Sequence, residues 1–166
     1  MKKILPITHK KGFTLIELLV VIAIIATLAV IVFVALNPAQ RLEDTRDARR
    51  VSDVNSILTA IHESIVDNGG TNPTNMPPAT TVRGIGTGSA CALTTTDCTI
   101  TQATCASLMT GGQDLSTYLA SMPIDPTGGT TYTADETGYS VVIDANGIVT
   151  ITACGREGDS VISASR

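Results

Sequence analysis

The chain has no tryptophan, three tyrosines, two phenylalanines and no lysine beyond position 11. With aromatics at only 3%, any globular core must be small and aliphatic, a setting in which covalent cross-links help. Lys2, Lys3, Lys10 and Lys11 are the whole lysine complement, and all precede Phe13. Without residues 1–12 the remaining 7 arginines face 15 acidic residues, and the net charge moves from −4 to −8. An acidic body argues against a continuous nucleic-acid-binding face, so nucleic acid is not expected as a stable ligand. The four cysteines, Cys91, Cys98, Cys105 and Cys154, contain no Cys-x-x-Cys pair, which excludes the usual spacing of a zinc ribbon or redox dithiol. Only two histidines are present, His9 and His62. His62 falls in a helical pattern and belongs to no Ser-His-Asp arrangement. Gly84-x-Gly86-x-Gly88 lacks both a preceding strand and a phosphate-binding lysine, and reads as loop. No catalytic residue, cofactor or metal site is expected, and the chain is not read as an enzyme.

What is present is uneven. The 166 residues allow one compact domain plus a long terminal element. Residues 13–36 form an apolar run of 24 residues, about 36 Å as a helix and enough to cross a bilayer core of ~30 Å. The preceding lysines place its N-terminus in the cytoplasm. A conventional signal peptide would be shorter and end in a small-x-small site, which is missing near Leu36. A plain anchor leaves Glu17 unexplained, because a carboxylate within a membrane helix needs a partner. Arg41 lies 24 residues further on and cannot reach it.

The basic leader ending Lys10-Lys11-Gly12, followed by Phe13-Thr14-Leu15-Ile16-Glu17-Leu18, resembles the class III signal of type IV prepilins and pseudopilins. In that family a membrane peptidase cuts after the glycine, here Gly12, and methylates the new terminal residue, here Phe13. As a bare helix breaker, Gly12 would leave the contiguous Phe-Thr-Leu-Ile-Glu pattern unexplained. Cleavage would create a positive amine four residues from Glu17. The resemblance implies that Glu17 pairs with the Phe13 amine of a neighbouring subunit and sets register, a known use of buried charge pairs. Leu15, Ile16, Leu18, Leu19 and Val20 would belong to the filament-core helix.

Beyond Asn37-Pro38 comes a charged stretch over residues 41–50, read equally as a solvated salt-bridged face or as bridges between subunits. Val51, Val54, Leu58, Ile61 and Ile65, widened by Ile57 and Val66, then mark an amphipathic helix ending near Asp67-Asn68-Gly69-Gly70. One helix over 13–67 would be about 80 Å long, and proline should interrupt it at Pro38. Many family members carry a helix-breaking proline earlier in the apolar segment, so Asn37-Pro38 is the candidate break here.

Residues 69–112, with Pro73, Pro77 and Pro78, read as a long surface loop pinned by Cys91, Cys98 and Cys105; exposed polarity explains its threonines more simply than glycosylation. An even number of cysteines in a chain that leaves the cytoplasm favours two disulfides, with three connectivities open. A short helix is expected over 114–121, with Leu115, Tyr118, Leu119 and Met122 on one side and Met122-Pro123 as its stop. Strands are expected over 130–134, 139–144 and 148–154, the last two joined through Ala145-Asn146-Gly147, in which Asn-Gly is a hairpin signal. The Leu-Ala-Ser-Met-Pro-Ile-Asp-Pro segment and the Gly-Tyr strand resemble the C-terminal region of many pilins and major pseudopilins. Some of those bind calcium, but Asp125, Asp135, Glu136 and Asp144 make no continuous calcium loop and are read as turn formers.

The expected fold is α+β: a long N-terminal helix, membrane-spanning in its first half and amphipathic in its second, packed on a small antiparallel sheet with a disulfide-pinned loop. The expected divisions are a leader at 1–12, a membrane and filament-core helix at 13–36, an amphipathic helix at 37–68 and a globular body at 69–166. The resemblance implies a major pilin polymerised with identical subunits into an extracellular filament, or fimbrium, for adhesion, motility or DNA uptake. The alternatives are a pseudopilin of a secretion or competence system and a monomeric anchored binding module. The implied partners are a prepilin peptidase-methyltransferase and an inner-membrane assembly platform with its ATPase. The implied location is the cytoplasmic membrane for the precursor and the cell exterior for the filament. Glu17 favours a bulk subunit over a tip-initiating one, since some tip pseudopilins lack this carboxylate.

Overall fold

The structure is a computed structural model describing residues 12–127 and 132–166. Two units are distinct, one ending at Gln40 and the other running from Arg41 to Arg166.

Helix α1 (Leu15–Leu36) is built from Leu, Ile, Val and Ala with one Phe, one Thr and one Glu, and none of its 22 residues is buried. Such a helix bonds all its backbone groups internally, which is the condition for crossing hydrocarbon. It ends at Asn37, whose φ of 38° and ψ of 70° are left-handed, a conformation asparagine tolerates better than most residues. Pro38 then opens α2 (Pro38–Asp67) at the first helical position, where the missing N–H is not needed and the fixed φ suits the helix. Proline thus begins a helix here, and the residue out of helical conformation is Asn37.

The second unit is organised around α2. Its buried residues are Arg50, Val54, Ile57, Leu58, Ala60, Ile61 and Ser64, the 3-4 spacing of one face. Val54, Ile57, Leu58 and Ile61 of the expected stripe are buried, but at its ends Val51 is 48% exposed and Val66 76%, while Arg50 and Ser64 are buried in their stead. The helix closes with a Schellman motif, Gly70 N–H donating to Ile65 O (2.8 Å) and Gly69 N–H to Val66 O (3.3 Å). Gly69 has the positive φ of 64° that this cap requires.

Six short strands follow: β1 (Arg83–Gly84), β2 (Leu93–Thr94), β3 (Thr99–Ile100), β4 (Tyr139–Ile143), β5 (Val149–Ala153) and β6 (Ser163–Ser165). One antiparallel sheet has the order β1-β4-β5-β6, and β2-β3 form a separate hairpin. In register, Tyr139 faces Ala153, Val141 faces Ile151 and Ile143 faces Val149. These six are buried and share one aliphatic core with Val54, Ile57, Leu58 and Ile61 of α2. Alternate residues on the other face are more polar, as a half-covered sheet demands. The β4–β5 connection keeps Ala145 and Asn146 at negative φ and puts Gly147 at 88°, with Gly147 N–H on Asp144 O (3.2 Å). This is a type I turn with a glycine bulge, a three-residue connection as expected. The fold is the α+β arrangement expected: the long N-terminal helical segment, small antiparallel sheets and two disulfides.

Two expected elements differ. Over 114–121 there is a single turn and no helix, with Tyr118 N–H and Leu119 N–H both donating to Leu115 O (3.0 and 2.8 Å). Leu115 N–H is committed to Leu108 O (2.8 Å), and so few residues between Gly112 and Pro123 cannot offset the cost of helix nucleation. The side chains still reach the core: Leu115 is buried, and Tyr118, Leu119 and Met122 pack against it. Of the expected strand at 130–134, residues 130 and 131 lie outside the described residues, and 132–134 are not strand.

The stretch 69–112 is more ordered than a loop. It supplies β1, β2 and β3, and disulfides Cys91–Cys105 and Cys98–Cys154 tie it down. Cys98, Ile100 and Cys154 form a second small cluster with Val82 and Leu93. The glycine run is a close-packing device: a Cβ at Gly86 would lie 2.1 Å from Asp135 O, and one at Gly84 3.0 Å from Cys91 Cβ. Gly86→Ala is therefore expected to displace backbone, at a loss of about 1–3 kcal/mol. Urea unfolding of the purified protein checks this, an unchanged midpoint being the contrary result.

Candidate functional site

Gly12, Phe13 and Thr14 precede α1 in non-helical conformation. Gly12 is exposed with nothing within 4 Å of its Cβ position, and Phe13 is 82% exposed. Thr14 is the N-cap, with φ −82° and ψ 151°. Its hydroxyl accepts from Glu17 N–H (3.3 Å), while Glu17 Oε2 accepts from Thr14 N–H (2.8 Å) and from Thr14 Oγ1 (2.7 Å). That reciprocal capping box satisfies donors that a helix start would otherwise leave unpaired. The sequence pattern Thr-x-x-Glu before an apolar run is the signal for this box, a local role for Glu17 beside the charge pairing that the resemblance implies. After it, Leu15, Ile16, Leu18, Leu19 and Val20 all point away from their own chain. By length and composition the helix beginning at Leu15 is apolar enough to cross a membrane.

Residues 7–33 match the family described as Prokaryotic N-terminal methylation motif. The chain carries the class III prepilin signal of type IV pilins and pseudopilins. Proteins with a prepilin signal are structural in type rather than enzymatic, and the signal supports a pilin or pseudopilin here. It implies processing by a prepilin peptidase and assembly into a pilus. Together with the apolar helix it fits a membrane-anchored precursor that then assembles. No curated protein and no solved structure matches the chain.

In the second unit of this prepilin-type chain, three of the charged residues before Val51, Arg46, Asp47 and Arg50, are bound within the fold, while Arg41, Asp44 and Arg49 are exposed. Arg50 is fully buried. Its guanidinium donates to Asp125 Oδ2 and Oδ1 (both 2.8 Å), to Asp47 Oδ1 (2.6 Å), to Glu157 Oε2 (3.1 Å) and to the Thr127 hydroxyl. Arg46 reaches Glu157 through two bonds (2.5 and 2.7 Å). Asp47 in turn accepts from Glu157 N–H (3.2 Å) and Gly158 N–H (2.7 Å). The cluster fastens Asp125, Thr127, Glu157 and Gly158 onto α2. Burial works against the Arg50 charge, but its bonds to Asp125, Asp47 and Glu157 outweigh this and raise its pKa. For Asp47, burial pushes the carboxyl up, and bonds from the Gly158 amide, Arg50 and the Glu157 amide bring the net below its usual value. The bond from Arg46 lowers Glu157. Arg50 continues the track of Val54, Ile57 and Ile61, and that spacing was the sequence signal for its burial.

Three of the four carboxylates considered for calcium are engaged otherwise. Asp125 is 2% exposed and paired with Arg50. Asp144 accepts from Asn146 and Ile148 N–H (both 2.8 Å), the Ile148 bond leading the shift of its pKa downward. Asp135 takes the Thr87 hydroxyl (2.8 Å). Glu136 offers its backbone carbonyl to Thr133 N–H (2.9 Å). Among the described residues there is no group of three or more histidine, cysteine or acidic side chains placed to hold a metal. His62 lies at a shallow groove with Glu63, Asp67 and Tyr118, and the Tyr118 hydroxyl there donates to Asp67 (2.9 Å).

Proposed function

We propose that the mature chain begins at Phe13 and serves as a major subunit of a type IV pilus, polymerising with identical copies through residues 13–36. The observation that carries the reading is the prepilin signal running without a break into a 22-residue apolar helix with no buried residue. Inside a bilayer, lipid covers such a surface. In water only other apolar surface can do so, and burial at about 25 cal/mol per Å² makes helix bundling the favourable outcome. In this reading residues 1–12 are the leader, Asn37-Pro38 is where the helix loosens on assembly, and the unit from Arg41 to Arg166 lies on the outside of the filament. A peptidase-methyltransferase, a membrane platform and an ATPase would act before and during assembly. Adhesion, motility and DNA uptake are all served by such a filament.

Cutting after Gly12 would free the Phe13 amine beside the carboxylate of Glu17. In its own chain that carboxylate already caps Thr14, so an amine from a neighbouring subunit would add to an ordered acceptor rather than recruit a mobile one. Gly12→Val is expected to leave the leader attached and abolish filaments. Immunoblots of membrane and sheared fractions give the readout, and a correctly cut product would overturn the assignment of the cleavage site. Visible fibres in sheared material distinguish a pilin from a pseudopilin, for which the processed protein would remain with the membrane and protein export would depend on it.

A further inference from the structure

The sequence contains two Asn-Gly dipeptides, Asn68-Gly69 and Asn146-Gly147, and the fold treats them differently. We propose that Asn146 is a site of spontaneous deamidation in the folded protein, a time-dependent modification that adds negative charge at the tip of the β4–β5 hairpin. Ring closure requires the amide nitrogen of the following residue to reach the asparagine Cγ, and glycine leaves that nitrogen unshielded. Asn146 and Gly147 are both exposed, and apart from the adjoining residues no atom lies within 4 Å of where a Gly147 Cβ would stand. The attacking nitrogen has one bond, to Asp144 O at 3.2 Å, and the departing amide has one, to Asp144 Oδ2 at 3.3 Å; both are at the long end of the range. Asn68 is held instead at the Schellman cap of α2. Its side-chain amide is half-buried and donates to Ser64 O at 2.7 Å and to Ser64 Oγ at 3.3 Å, and Ser64 is fully buried.

The chemistry needs only water. The deprotonated Gly147 nitrogen bonds to Asn146 Cγ and ammonia leaves with the amide nitrogen, giving a cyclic imide. Water then opens the ring at either carbonyl, to aspartate or isoaspartate. Each product sets a second carboxylate beside Asp144, and the isoaspartyl form adds a methylene to the backbone three residues before Val149 opens β5.

The test holds the purified full-length protein, folded, at neutral and mildly alkaline pH, and follows it by peptide mapping and isoaspartyl methyltransferase labelling. The expected result is conversion at Asn146 several-fold ahead of Asn68, faster at the higher pH, yielding both isomers and absent in Asn146→Gln. Conversion seen only after unfolding, or Asn68 reacting first, would overturn the proposal.

Discussion

Replacing Arg50 with alanine is expected to destabilise the unit from Arg41 to Arg166 by about 3–5 kcal/mol, because it strands a buried carboxylate without its counter-charge. For a domain of this size that lowers the melting temperature by more than about 10 °C. Asp125 is 2% exposed, and two of the Arg50 nitrogens bond it. Asp47 and Glu157 lose a shared donor in the same step. The effect should not add to that of Asp125→Ala: removing both partners leaves no fully buried charge unpaired, so the double variant should be less destabilised than the sum of the singles. Additive losses would mean that the cluster does not act as a unit.

The same cluster sets an acid response. Asp47 and Glu157 have folded-state pKa values below their ordinary ones. Groups depressed in this way contribute stability that is fully present above their unfolded values, about 3.9 for Asp and 4.3 for Glu, and lost as pH falls through the folded values. Melting temperature should therefore hold level from neutrality down to about pH 5 and fall below it. The Arg50→Ala variant should show a shallower acid decline; an identical slope would remove the cluster from the explanation.

The second large effect concerns Glu17, where two roles separate by substitution. Glu17→Ala removes both the capping box and the charge; Glu17→Gln keeps a side chain able to complete the box and removes only the charge. If charge pairing with a neighbouring Phe13 amine sets register, both variants should be processed and inserted in the membrane, and both should lose filaments. If the cap is what assembly requires, glutamine should assemble and alanine should not. Normal filaments from Glu17→Ala would dispose of both roles. Counting sheared fibres against processed protein in membranes reads all three outcomes.

The sequence made some elements legible because their signals are local. The apolar run, the amphipathic period of α2, the Asn-Gly turn and the strands around it each depend on residues close together in the chain. What was missed depends on partners far away in sequence. The charged stretch holding Arg50 reads equally as a solvated face or as bridges between subunits, because its partners Asp125, 75 residues on, and Glu157, 107 residues on, are brought to it only by the fold. The glycine run looked like plain loop because its reason, the approach of Asp135 O, lies outside the run. Similarly, the even cysteine count favoured two disulfides, while the pairing awaited the fold that brings Cys98 to Cys154. The short helix at 114–121 failed for the opposite reason: tertiary contacts hold Leu115, Tyr118 and Leu119 without needing a helix to present them.

The most direct test of the central claim is the N-terminal peptide and intact mass of the protein taken from sheared surface material. The expected species begins at methylated Phe13 and carries its full C-terminal body. A chain from the same cells still beginning at Met1 would contradict processing at Gly12, and with it the assembly built on that cut.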